Sequence, residues 1–169
     1  MRLTRIMFAT AAAITLTALT AAAQVPGPSL SDAKKAIAAA QAAAAKMNVN
    51  VSCVVLDARG AMVAAERMDK ANYFTMDVAR GKALVSASFG SPSGALASLA
   101  TSGIGNVLAG PATPLFMQGA VPIKGGGAIG CSGAASQQDE DAAKAGAATI
   151  GVNSSPTRAD ASRRAARPT

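Results

Sequence analysis

Histidine is absent from all 169 residues, and so is tryptophan. Tyrosine occurs once, phenylalanine four times and cysteine twice. Each shortage removes a chemistry. Without an imidazole there is no Ser-His-Asp triad, no Cys-His pair, no His-ligated zinc and no His-ligated haem iron. Two cysteines are too few for a four-thiolate zinc or iron–sulfur centre. Aromatic residues make up only 3% of the chain, so a surface that stacks unpaired bases is not expected.

What is present is apolar and small. Half the residues are hydrophobic, and alanine dominates them. The formal charge is +7, which at first suggests nucleic acid, but its location argues otherwise. Arg2 and Arg5 lie at the extreme N-terminus, and Arg158, Arg163, Arg164 and Arg167 lie in the last twelve residues against a single Asp160. Residues 24–150 hold 10 basic and 8 acidic side chains. A nearly neutral middle carries no electrostatic footprint for nucleic acid, and no nucleic-acid partner is expected.

Three segments follow from the pattern. Residues 1–23 have a basic start, an uncharged stretch from Ile6 and a small-residue end at Ala21-Ala22-Ala23, the form of a cleaved secretory signal peptide. Residues 24–150 form one domain, and the protein is expected in the periplasm or outside the cell, where disulfides persist. Residues 151–169 are polar and basic without apolar periodicity, which predicts a disordered tail.

Within the domain, Ser29 and Asp32 have capping-box spacing ahead of a helix over 33–47. Residues 51–57 read as a strand apolar on both faces, hence central. Residues 57–60 form a turn signal, and 61–67 return as the second strand of a hairpin. A second helix covers 74–89, and Pro92 breaks the helix beyond it. Residues 95–100 read as a short helix, 101–118 as a long loop, 119–124 and 128–132 as strands, and 139–150 as a last helix behind a second capping-box spacing at Ser136 and Asp139. Gly125-Gly126-Gly127 leads into a strand, not a helix, so it reads as a turn and not a phosphate cradle. Helices alternating with an antiparallel sheet make an α+β fold.

Several short motifs, in order, resemble one family: Leu30-Ser31-Asp32-Ala33, Val54-Val55-Leu56-Asp57-Ala58-Arg59-Gly60, Arg67-Met68-Asp69-Lys70-Ala71, Ala79-Arg80-Gly81-Lys82-Ala83, Gln118-Gly119-Ala120-Val121-Pro122-Ile123, Ala128-Ile129-Gly130-Cys131-Ser132-Gly133 and Gln138-Asp139-Glu140-Asp141. Together they resemble the GlcG/HbpS-like haem-binding or haem-degrading family, which includes the PduO C-terminal domain. The resemblance covers about residues 30–150. It implies a profilin-like fold with about five antiparallel strands and helices on its faces. It also implies homo-oligomers, haem or another tetrapyrrole as ligand, and haem or iron sensing beside a membrane sensor. Two departures stand out. Only Lys124-Gly125-Gly126 remain where the family carries a longer strand–turn–strand, so one strand is shortened or lost. The histidine that some relatives use as iron ligand is missing.

The candidate binding residues are Arg67, Met68, Asp69, Tyr73, Lys82, Gln118 and Gly119. They would lie in a pocket between the 67–73 loop, the second helix and the 118–123 segment. Arg67 suits bidentate carboxylate recognition, against a structural pair with Asp69 or Asp57. Lys82 lies on the apolar face of the second helix, where an unpaired ammonium is costly; it must snorkel, meet a carboxylate or meet an anionic ligand. With histidine absent, haem iron is left with Tyr73, a methionine (Met68, Met76, Met117) or a thiolate, and Tyr73 is the favoured metal ligand, against a plain packing role. In the family fold Cys53 and Cys131 lie on neighbouring strands, as a disulfide or as a pair of buried thiols. No catalytic residue is assigned. Two other readings stay open: an enzyme or accessory protein handling a small carboxylate or aldehyde, with Arg67 and Lys82 as the anion clamp, and a structural oligomer or sensor partner without ligand. The leader reading has a direct check: N-terminal sequencing of the protein recovered from outside the cytoplasm is expected to begin at Gln24.

Overall fold

The computed structural model describes residues 26–101 and 114–150. The expected signal peptide, the basic tail and the middle of the long loop lie outside the described residues.

Helix α1 (Leu30–Lys46) opens the domain. Its N-cap is Ser29, whose Oγ accepts from the Asp32 N–H at 3.1 Å and donates to the Asp32 carboxylate at 2.7 Å. Strands β1 (Ser52–Leu56) and β2 (Met62–Arg67) form a hairpin. Asp57 shapes its turn by accepting the Arg59 and Ala61 N–H groups on one carboxylate oxygen. Helix α2 (Thr75–Phe89) follows and stops at Gly90 in the left-handed conformation. A 3-10 helix spans Ser93–Thr101. Strands β3 (Ala120–Pro122) and β4 (Ala128–Ser132) form the second hairpin, and helix α3 (Ser136–Ala148) ends the domain.

The strands form one antiparallel sheet in the order β2-β1-β4-β3. Among the described residues there are four strands, one fewer than the family resemblance suggests. β3 is three residues long, in line with the shortened Lys124-Gly125-Gly126 connection. The central strands β1 and β4 are buried along their whole length, as a run apolar on both faces requires.

Alternation along β1 sorts the core into two layers. Cys53 and Val55 join Ile129, Cys131 and the alanine faces of α1 and α3. Val54 and Leu56 face Ala79 and Ala83 of α2. Helices therefore cover both sheet faces. The side chains between layers are small, so the backbones come close. At Gly130 an added Cβ would overlap the Ala79 carbonyl oxygen and stand 2.9 Å from the Ala83 nitrogen, which leaves no room for any side chain where β4 meets α2.

The last helix departs from expectation at its start. Its N-cap is Ala135, not Ser136. Gln138 accepts the Ala135 N–H at 3.3 Å, and Asp139 is occupied elsewhere, accepting the Ala134 N–H at 3.0 Å. The short helix expected over 95–100 is present as a longer 3-10 helix. Ser93 at its start donates to the Met117 carbonyl at 2.6 Å and accepts the Ala120 N–H at 3.0 Å, tying the helix to the first residue of β3.

Cys53 and Cys131 face each other across β1 and β4, with Cα atoms 4.2 Å apart, and form a disulfide. The two cysteines are separated by 78 positions, and in the chain-entropy account such a closure stabilises by about 4 kcal/mol. The Cys53→Ser/Cys131→Ser variant is expected to lose about that much relative to the oxidised protein, read from urea unfolding of the two.

Candidate functional site

The candidate residues do not converge on a single cavity. They fall into four places, one of them the exposed Tyr73, which lines neither cleft. Arg67, Met68 and Asp69 line a cleft of about 630 Å³ with Lys70 and, from α1 and the segment behind it, Gln41, Asn48 and Asn50. Gln118 lines a second cleft of about 620 Å³ with Pro92, Ala95, Met117, Ser136 and Glu140. Lys82 and Gly119 lie in the interior.

The first cleft is built where β2 ends. The Arg67 guanidinium donates to the Ala71 carbonyl at 2.7 Å, closing the loop that follows. The Met68 sulfur accepts the Val51 N–H at 3.4 Å and packs on the core. Neither an Arg67–Asp69 nor an Arg67–Asp57 pair forms; Asp57 is occupied by its own turn. Gln41, which the sequence did not single out, lines this cleft. Its Nε2 is closed to solvent and meets no acceptor, alone among the described buried side-chain polar atoms. A buried donor left unmatched costs about 1–3 kcal/mol. Its only sequence signal was a polar residue within an alanine-rich helix.

Further along the same loop stands Tyr73, the sole tyrosine, with 84% of its surface exposed. Phe74 meets it edge-on, ring centroids 5.7 Å apart, and is itself half-exposed. Behind them, the Thr75 hydroxyl donates to the Asn72 carbonyl at 2.6 Å. That spends its proton, so the 2.8 Å contact with buried Ser52 is a donation from Ser52. This pins the loop's end to β1.

Around Gln118 the contacts are polar and local: its Nε2 donates to Gln137 at 2.9 Å, and Gln137 donates to Asp141 at 2.9 Å.

Lys82 resolves its open alternatives as a buried ion pair. Its Nζ donates to the Asp139 carboxylate at 2.7 Å and lies 3.4 Å from the Cys131 carbonyl oxygen; both side chains are 2% exposed. Lys82 belongs to α2 and Asp139 to α3, on opposite faces of the sheet. The passage between them is Gly119: a Cβ there would stand 2.7 Å from Lys82 Nζ and 2.9 Å from its Cδ. Its φ of +137° also disfavours a side chain. Burial pushes the Asp139 carboxyl above its ordinary value, while Lys82 and the N–H groups of Ala134 and Gly133 draw it back. A carboxyl raised on folding holds its proton more tightly in the folded state, so its contribution to stability falls as pH rises through the raised value.

The residues can be tested against a haem. Both cysteines are consumed in the disulfide, so no thiolate is available, and of the candidate iron ligands the phenol and the thioethers remain. The Met68 sulfur is engaged by the backbone. The Tyr73 phenol is accessible, Phe74 offers an apolar ring beside it, and Arg67 and Lys70 supply cations on the same loop. This set fits an oxygen-ligated haem.

A small α+β domain with an antiparallel sheet covered by helices on both faces, and a donor-rich cleft at its β2 end, is the class this structure defines. Within that class the chain belongs to the HbpS-like family of haem-degrading proteins, whose family model matches residues 29–148. A double mutant of Streptomyces reticuli HbpS is similar to it at 32% identity, covering 76% of this chain and 90% of that one, with a TM-score of 0.69. Klebsiella pneumoniae protein ORFY is similar at 25% identity over 78% and 96% of the two chains, with a TM-score of 0.68. The PduOC–haem complex shares the fold at 24% identity, 75% and 97% coverage and a TM-score of 0.67. A search of curated protein sequences returns no match.

The ion pair makes a sharp prediction. Lys82→Met is expected to cost about 3–5 kcal/mol, because it strands a buried carboxylate, and the Lys82→Met/Asp139→Leu double variant to recover most of that loss. Urea unfolding of the single and double variants reads both.

Proposed function

We propose that the protein is an exported haem-binding protein in which the loop from Arg67 to Phe74 receives the tetrapyrrole. The observation that carries this reading is the Tyr73–Phe74 pair, left to solvent in a chain with only five aromatic residues and set on the same loop as Arg67 and Lys70. Membership of a haem-degrading family supports the ligand.

Bound haem would bring an iron centre open to ligand and redox chemistry. The chain's own residues do the holding. Tyr73 would supply its phenol oxygen to the metal. Phe74 would offer its half-exposed apolar ring to the macrocycle. Arg67 and Lys70 would meet the propionates, Arg67 with the guanidinium N–H groups not spent on Ala71. Lys82, paired with Asp139 in the interior, would take no part in holding the haem and serves to fix α2.

Export is supported by the leader pattern of residues 1–23 and by a disulfide that belongs to an oxidising compartment. Assembly into a homo-oligomer is supported by the position of β2 at the sheet's edge, with Met62 half-exposed. A membrane sensor as partner rests on the family alone. The reading of a small-carboxylate enzyme is weakened by the burial of Lys82, which removes one half of its anion clamp.

Titration of the purified oxidised protein with hemin is expected to give a saturable Soret band, with affinity at least tenfold weaker in Tyr73→Phe. A spectrum unchanged from free hemin would defeat the proposal.

A further inference from the structure

We propose that the cleft around Gln41 is a carboxylate-binding subsite. Gln41 sits on α1 facing the cleft, and its Nε2 is buried without an acceptor. A group of this kind is rare in folded proteins and calls for a partner the chain itself does not supply. The surroundings say which partner. Arg67 and Lys70 line the same cleft against one acid, Asp69, so the lining is net cationic. Asn48 and Asn50 add further amide donors, and Asn48 is held at a φ of +56°, which turns the chain sharply between α1 and β1 and brings both asparagines to the cleft.

An oxygen acceptor carrying negative charge satisfies this lining. A carboxylate does so best: it is planar, and its two oxygens can accept from the Arg67 fork and, once the Gln41 side chain turns to bring its enclosed Nε2 to the cleft surface, from that amide. A cleft of about 630 Å³ is of small-ligand size. The carboxylate has two sources. One is a propionate of the tetrapyrrole, in which case the subsite rests on the haem reading. The other is a free small acid, which does not.

The experiment uses the full oxidised protein and separates the sources. In the first arm, succinate is titrated by calorimetry and thermal shift, with sulfate at equal ionic strength as control. In the second, hemin is compared with hemin dimethyl ester, which lacks free propionates. Each arm is repeated with Gln41→Glu, which keeps the size and places a charge where the donor was, and with Arg67→Gln at the rim in case the first variant fails to fold. A free-acid site predicts saturable succinate binding, absent with sulfate and at least tenfold weaker in either variant. A propionate site predicts at least tenfold weaker binding of the diester, and an equal loss for hemin in either variant. Absence of both effects, or binding in the variants as tight as in the parent, overturns the proposal. If hemin does not bind at all, the haem reading fails alone and the succinate arm still decides the subsite.

Discussion

One buried ion pair joins the two helical layers of this domain. Lys82 leaves α2 on one face of the sheet and reaches Asp139 of α3 on the other, past a glycine that has no side chain to block it. Buried charges are not in themselves a source of large stability. Their effect here is geometric. The ammonium has one low-energy place to go, and that place fixes α2, α3 and the start of β3 relative to one another. Asp139 is fixed in turn by the Ala134 N–H, so the turn between β4 and α3 belongs to the same network.

The rest of the packing depends on smallness. Alanine lines α1 and α3 on one side and α2 on the other, and Gly130 admits α2 to contact distance of β4. Such an interior buries little apolar area per residue, because alanine contributes little of it. The disulfide between the two central strands offsets part of that shortfall by restricting the unfolded chain. A small-residue core, one cross-strand disulfide and one ionic tie form a consistent set: each limits freedom where bulky side chains would otherwise do so.

Much of the fold was legible in the sequence. β4 matches its predicted bounds, α1 is led in by the expected Ser29 cap, and the buried run at 52–56 reads as the central strand it is. The boundary errors have local causes. The second capping-box spacing misplaced the start of α3 because Asp139 bonds to Lys82 and Ala134 instead of the helix start, and nothing local in the sequence reveals a partner 57 positions away. Ser93 was unreadable for the same reason: its hydroxyl serves the 117–120 segment across a loop. The site was half legible. Arg67, Met68 and Asp69 share a cleft, yet Gln118 lies at another and Lys82 is enclosed, since order along the chain does not say which face of the sheet a loop returns to. Gln41 gave almost no signal, because one glutamine in an alanine helix usually faces solvent.

The pairing of β1 with β4 has a consequence for how the chain is made. A polypeptide emerges N-terminus first, from a ribosome or through a translocation channel. β1 then waits with only β2 beside it while the next 60 or more residues appear, and its other edge stays open until β4 arrives. Cys53 emerges long before Cys131 does. The central sheet, and the covalent bond across it, can close only when the last quarter of the domain has been delivered. Until then the thiol of Cys53 and one edge of β1 stay without the partners that the folded domain gives them.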